Sequence, residues 1–505
     1  LALALRLNGL RWDQGHLFHP DERAILMKAG DISFPWPPDP ALLLDPQRSP
    51  WNPHWFPYGS LVLYLLKLAG WLAGLALGPL DLDNLAMVGR VIAALLDTGT
   101  VLLVYALGAR LYDRAAGLLA AALAAFAVLH IQLSHFYTSD PLLTFFLVAS
   151  MLFLAGLART GRLRDAALAG LMFGLALANK VSGAPFLLAA GVAAFAWCFE
   201  GDSVRGIAFR QERVPRAVAA FALFLGVTAI AFAIAAPYQI LDFGAFRQDV
   251  EREGAMARRI ADLPYTRQYI NTPPYLYHIQ QLATWGLGWP LGLSAWAGFA
   301  VAIGIGIAAR RKADLLLLAW VLPYFAVVGA FEVKFLRYML PIVPFLLLFG
   351  ARALVGFYRV VRAARGIAYL VPRWGPWLAA QAPRVALGVI AFVLASTVLY
   401  ALAYASIYTR PHPAVQASEW IRQSIPPGAT IAKEHWEEGI PGLGDYRIVE
   451  LGLYEPDDAA KLDRLAQQLA DVDAVVFYSN RLYGTIPRLP DRYPVSSRYY
   501  QLLFA

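Results

Sequence analysis

SDPLLTFFLVASMLFLAGLA, residues 139–158, carries one charge in its first turn, at Asp140, and none in the rest of the run. A helix needs about 20 such residues to cross a hydrocarbon core about 30 Å thick, so this stretch reads as a membrane span. Working outward, comparable apolar runs recur at 57–79, 85–109, 115–133, 166–182, 184–199, 215–236, 288–308, 314–331, 338–358 and 385–407. The whole chain of 505 residues is 59% hydrophobic and only 15% charged, with a mean hydropathy of +0.51. A water-soluble protein carries about 25% charged residues, and that deficit excludes a soluble enzyme.

The net charge of +8 does not indicate a nucleic-acid partner, because the cations form no single basic face. They collect in short loops: Arg110/Arg114, Arg159/Arg162/Arg164, Arg205/Arg210/Arg213/Arg216, Arg310/Arg311/Lys312, and the segment 352–384. Positive loops orient spans toward the cytoplasm. With all five inside, every run from 85 onward alternates correctly. The loop 237–289, the loop 332–337 and the C-terminal tail then fall outside. The first residues, Leu-Ala-Leu-Ala-Leu, read as the end of a first span. The run 57–79, with Lys67 at mid-length, is expected to lie in the outer interface rather than cross. The fold class expected is an all-α polytopic membrane domain of about eleven transmembrane helices plus interfacial helices, with a small C-terminal α/β domain. The membrane domain is placed at 1–408, with outer loops 11–84 and 237–289, and the exoplasmic α/β domain at 409–505.

That tail alternates helical spacing at 413–423 and 456–469 with strand-like runs at 429–432, 447–451 and 473–478, which predicts a mostly parallel sheet. Glu434 to Glu437 reads as a polar, aromatic turn after a strand. The single cysteine, Cys198, sits in an apolar run, so no disulfide framework or cysteine metal site is expected. P-loop, dinucleotide, serine-elbow and His-Glu-x-x-His signatures are absent. His130 and His135 lack a third ligand for zinc. No cofactor is expected, and no motif supports a divalent cation.

The ionisable residues gather at the outer ends of the spans. Asp21 and Glu22 open the first loop, where His19-Pro20 before them also reads as a plain helix start. Asp140, Lys180, Arg90, Glu332, Lys334 and Arg337 follow on the same side, with Arg258, Arg259 and several tyrosines in the long outer loop. Asp97, at mid-span, is expected to pair with Arg90 two turns away or to cap a hydrogen-bond network. Charge beside an apolar zone is costly, and carboxylates with several cations on one face describe a pocket for an anionic, most simply phosphate-bearing, substrate.

The order of these residues resembles the GT-C superfamily of membrane glycosyltransferases, in particular the protein O-mannosyltransferase and aminoarabinose transferase branch. The resemblance rests on Asp21-Glu22, Asn52-Pro-His54-Trp-Phe-Pro-Tyr58, Tyr137-Thr-Ser-Asp140-Pro141, Asn179-Lys180-Val-Ser-Gly183 and Lys334-Phe-Leu-Arg337-Tyr338-Met-Leu-Pro341. It implies transfer of a sugar from a polyprenyl-phosphate donor to a glycan, lipid or protein acceptor on the outer face of a prokaryotic cytoplasmic membrane, by an inverting displacement. Asp21 would be the base, Glu22 its orienter or substitute, and Asp140 a second acid of the cavity. Lys180, Lys334, Arg337, His54 and Arg259 would bind the carrier phosphate. The α/β tail departs from the repeats of the eukaryotic O-mannosyltransferases, so the acceptor is left open. A transporter for a lipid-linked or anionic substrate, or a non-catalytic scaffold subunit of the same fold, is the alternative. A transporter would place its charges at mid-membrane in symmetric halves.

Overall fold

The computed structural model describes residues 1–35, 37–201, 209–363 and 375–505. Arg205 and the 364–374 part of the last basic segment lie outside the described residues. The chain divides into two compact units.

The first unit comprises Leu1–Leu10, His19–Glu253 and Pro273–Ile407. Its helices are α1 (Ala2–Leu7), α2 (Pro20–Asp31), α3 (Pro40–Leu44), α4 (Leu61–Leu77), α5 (Leu82–Leu111), α6 (Arg114–Ala125), α7 (Val128–Ser134), α8 (Ser139–Thr160) and α9 (Leu163–Asn179). They continue as α10 (Leu187–Trp197), α11 (Val214–Ala235), α12 (Tyr238–Leu241), α13 (Phe243–Ala257), α14 (Leu276–Gln281), α15 (Trp289–Ala309), α16 (Lys312–Gly329), α17 (Val343–Ala363) and α18 (Gly375–Ala405).

Among the described residues, seven helical segments are long and apolar enough to cross a membrane, or eight if the bent pair α6 and α7 counts as one span. The chain is an integral membrane protein. The shorter apolar segments are set apart from these for a local reason. The apolar stretch from 163 to 197 is cut by a 3-10 turn, Val181–Phe186, which contains Pro185 and leaves shorter pieces on either side. Proline removes a backbone donor and interrupts the i→i−4 ladder. The α1 segment is only six residues long. The quoted run forms α8, with 78% of its apolar window buried, against 28% for the window ending at Ala235. The first is therefore the inner pillar of the bundle and the second a peripheral helix. Close approach of α15 to α17 depends on Gly298, where an added Cβ would meet the Phe349 carbonyl carbon at 2.4 Å.

Three carboxylates buried in this unit, Glu22, Asp97 and Asp314, are each paired with a cation. Arg90 grips Glu22 with two hydrogen bonds of 2.9 and 2.6 Å. Asp97 accepts from Arg6 at 2.6 Å and lies 2.6 Å from His130 Nδ1. Asp314 pairs with Arg352 and accepts from the Tyr112 hydroxyl. The expected Arg90–Asp97 pair does not form: seven residues separate them by about 10 Å along the axis, and each finds a nearer partner on another segment.

The second unit comprises Arg11–Phe18, Gly254–Thr272 and Tyr408–Ala505. It thus takes in part of the long loop besides the tail. Its strands β1 (Thr430–Glu434), β2 (Arg447–Leu451) and β3 (Ala474–Val476) form a parallel sheet in the order β2-β1-β3. Helices α19 (Pro413–Ser424), α20 (Lys461–Ala470) and α21 (Pro494–Leu503) accompany it. Leu451, Leu453, Leu465, Ile486 and Tyr493 build the core. Arg267 joins the loop to the tail by donating to the Tyr454 carbonyl at 2.9 Å and to the Tyr493 hydroxyl at 2.5 Å.

Glu434, at the end of β1, is 1% exposed and hydrogen-bonded to the Tyr500 hydroxyl. Burial, aided by the nearby Glu437 and opposed by the Tyr500 bond, pushes its carboxyl up to about 7. The folded state therefore holds a proton that the unfolded chain releases near pH 4.5. Stability from this group is complete below that pH and is lost as pH rises through about 7. Hydrogen exchange of β1 peptides in the full chain, corrected for intrinsic rates, should accelerate between pH 5 and 7 and lose that dependence in Glu434→Gln. An equally steep pH dependence in the variant would refute the assignment.

Candidate active site

Four elements of the first unit meet at one end of the bundle. The first is α2. Pro20 fixes its first turn, and His19 caps it by accepting from the Glu22 amide at 3.2 Å. Asp21 and Glu22 are adjacent in that turn, and successive residues on a helix point about 100° apart. They consequently face different surroundings. Glu22 is fully buried against Arg90 and also accepts from the Tyr137 amide at 2.8 Å. Asp21 faces Arg337, with its Oδ2 3.0 Å from the guanidinium Nη2.

The second element is the start of α8, where Asp140 lies in the first turn at the positive end of the helix dipole. The third is the end of α9. Asn179 donates to the Ser139 carbonyl at 2.7 Å, tying the end of α9 to the start of α8. Lys180, in extended conformation after that end, then reaches Asp140 Oδ1 at 2.8 Å. The fourth is the 3-10 turn Leu336–Ile342, held by Tyr324 donating to the Tyr338 carbonyl at 2.8 Å. It presents Arg337, whose Nε lies 3.8 Å from Asp140 Oδ2. The result is a chain of alternating charge: Asp21, Arg337, Asp140, Lys180.

Aromatic residues wall this chain. Lys180 Nζ lies 5.9 Å from the Tyr58 ring centre and 5.6 Å from that of Tyr338, and the Arg337 guanidinium lies 4.3 Å from the Phe335 ring. Tyr58 arrives on the loop before α4, which touches backbone at Gly59. A Cβ at Gly59 would sit 2.4 Å from the Ala178 carbonyl oxygen, and its φ of +71° is the left-handed region. The Ser60 amide donates to that same carbonyl at 3.1 Å.

The electrostatics follow from these contacts. Burial alone would raise the Asp21 carboxyl. Arg337 and a hydrogen bond from Tyr58 outweigh it and hold the group below the usual carboxylate range. Burial and Asp21 push the Tyr58 hydroxyl up, so it stays a donor. Desolvation pushes the His19 ring down to about 4 despite Asp21 beside it, so the imidazole, stacked on Phe136, is neutral at physiological pH. Glu253 on α13 lies within electrostatic reach of Lys180, Asp21 and Arg337, and burial raises its carboxyl.

Of the residues expected from the sequence, Asp21, Asp140, Lys180 and Arg337 are brought together. Glu22 is held apart by Arg90. His54, at a positive φ of 46°, lies 3.4 Å from Asp242 Oδ2 and shares that carboxylate with Asn52. Lys334 is buried, donates to the Glu332 carbonyl at 3.1 Å and lies within electrostatic reach of His278. Arg259 belongs to the second unit. His19, Tyr58 and Glu253 were missed. The Tyr58-Gly59 pair inside an aromatic run was the available signal for the second, whereas Glu253 stands in a helix indistinguishable from any charged surface helix. Among the described residues no three His, Cys, Asp or Glu side chains are grouped as metal ligands. The Arg337 guanidinium lies within ion-pair range of both Asp21 and Asp140.

Residues 68–238 match the family described as dolichyl-phosphate-mannose-protein mannosyltransferase, about a third of the chain. The apo oligosaccharyltransferase of Archaeoglobus fulgidus has a similar structure, with a TM-score of 0.50 at 16% identity, over 86% of this chain and 62% of that one. The chain shares the fold of this oligosaccharyltransferase. The chain spans less than two thirds of the oligosaccharyltransferase's length. ArnT from Cupriavidus metallidurans bound to undecaprenyl phosphate aligns with a TM-score of 0.47 at 14% identity, over 94% of this chain and 88% of its own. The archaeal AglB solved with an inhibitory peptide and a dolichol-phosphate aligns at 0.46 and 16%, over 84% and 63%. No curated protein sequence matches the chain.

Proposed function

We propose that this protein is a membrane glycosyltransferase of the GT-C type, which transfers a sugar from a polyprenyl-phosphate donor to an acceptor at the outer face of a prokaryotic cytoplasmic membrane. The observation that carries the reading is the alternating chain Asp21–Arg337–Asp140–Lys180 at one end of the bundle. The match of residues 68–238 to a family named for a dolichyl-phosphate sugar donor supports the same substrate class. A topology of eleven crossings, counting the shorter apolar segments and with the basic loops inside, puts this end outward.

An isoprenoid tail dissolves in the bilayer and leaves its phosphate at the interface. There Arg337 and Lys180 supply two cations, each already balanced by a carboxylate. A donor phosphate competes for these cations and loosens the hold of Arg337 on Asp21. Asp21 then takes the proton of the acceptor hydroxyl or amine as that atom bonds to the anomeric carbon. The bond from that carbon to the phosphate oxygen breaks on the opposite face, inverting the centre. The leaving phosphate gains charge beside Arg337 and Lys180, which stabilise it most in the transition state. Asp140 holds both cations in place. Tyr58 and neutral His19 orient Asp21, and Glu22 acts through Arg90 by fixing α2. Lys334 and His54 are assigned to the path of the carrier.

The purified, lipid-reconstituted protein should consume at least one member of a panel of radiolabelled polyprenyl-phosphate sugars, by transfer or by slow hydrolysis. Neither binding nor consumption across the panel would overturn the reading in favour of a transporter or scaffold.

A further inference from the structure

A cavity of about 1410 Å³ in the first unit does not lie at the carboxylate chain. It lies at the other end of the bundle. Asp140 begins α8 and Arg159 ends it, about 29 Å further along the helix axis. Arg159 lines the cavity, together with Arg110, Arg213, Arg311, Lys312, Arg352 and Arg359, against only two carboxylates, Asp113 and Glu200.

Some of these cations are already balanced. Arg359 pairs with Asp113 at 2.7 Å, Arg352 pairs with Asp314, and Arg213 lies 3.8 Å from Glu200. Among the described residues Arg110, Arg159 and Arg311 make no ion pair with a carboxylate. The remainder of the lining is apolar: Val301 and Ile305 from α15, Leu316 from α16 and Phe349 from α17. Gly298 also lines the cavity, so it reaches the place where α15 and α17 come closest. A space this size, with exposed guanidinium groups and an aliphatic interior, fits an amphipathic anion. Neither a bare ion nor a neutral lipid satisfies both parts. Basic pockets between membrane helices hold phosphate headgroups in this way.

We propose that this cavity binds an anionic phospholipid, with its phosphate on Arg159 and Arg311 and its acyl chains along α15 and α17. The site is separate from the transfer centre, and its occupancy does not depend on that assignment.

Native mass spectrometry of the full chain, released from nanodiscs of dioleoyl phosphatidylglycerol and dioleoyl phosphatidylcholine, tests the proposal. The wild type should retain phosphatidylglycerol, and Arg159→Gln/Arg311→Gln should lose at least five-fold of that retention. Arg114→Gln/Arg164→Gln, at the same end but outside the cavity lining, should keep it. Arg159→Lys/Arg311→Lys should restore most of it, which separates lost charge from lost fold. The proposal fails if phosphatidylcholine is retained equally. It also fails if the two glutamine doubles lose lipid alike, or if inorganic phosphate alone displaces the bound lipid and protects against thermal unfolding as well as phosphatidylglycerol does.

Discussion

Replacing Asp21 by Asn is expected to lower turnover about 10²- to 10⁴-fold, the usual contribution of a positioned general base, while donor binding persists. The amide is nearly isosteric and cannot accept the acceptor's proton. It also frees Arg337 from its 3.0 Å partner, so donor affinity should hold or rise rather than fall. A drop in kcat with an unchanged or lower KM is therefore the signature sought. Donor binding measured apart from turnover separates this from a collapsed site. Turnover within a few-fold of wild type would remove Asp21 from the base role. Suspicion would then move to Asp140 or Glu253, the other carboxylates within reach of the same cations.

The second large effect concerns stability, not chemistry, and falls on the neighbouring residue. Glu22→Gln should destabilise the membrane unit by about 3–5 kcal/mol, because it leaves the Arg90 charge buried without its counter-ion. Both side chains are 0% exposed in the pair. The same change also weakens the bond from the Tyr137 amide, which fixes the chain just before Asp140. Thermal unfolding in detergent is the measurement, with Asp21→Asn as the comparison. Asp21 keeps some contact with solvent, so its loss should move the midpoint far less. The double change Glu22→Gln/Arg90→Met should recover much of the lost stability, since it removes the orphaned charge as well as its partner. A midpoint for Glu22→Gln within about a degree of wild type would show that the pair is not what holds α2 in place.

These two adjacent carboxylates mark the limit of what was legible in the chain. Both stood out in the sequence, and both were assigned to the chemistry there. Pro20 and His19 announce the helix start that carries them, but the roughly 100° between them is divided only by what packs on each side. The same holds for Asp97. Its cost at mid-span is evident from the sequence, yet its partners, Arg6 and His130, come from segments that no local spacing connects. Lys334 and Arg337 look equivalent in a six-residue loop. The 3-10 turn that follows directs Arg337 to the carboxylates, while Lys334 donates to the Glu332 carbonyl.

By itself the sequence determined that this is a membrane protein, where its apolar segments lie, that its basic loops gather apart from its acidic ones, and that a parallel α/β unit closes the tail. Each of those depends on the transfer of contiguous residues out of water or on short-range strand and helix patterning, so a window of about 20 residues suffices. Only the tertiary structure decided how many apolar runs stay unbroken as helices, which charges neutralise each other, and that Gly254–Thr272 packs with the tail. Those outcomes depend on distances of a few ångströms between side chains far apart in the chain. At that range an ion pair or a hydrogen bond outweighs any local preference.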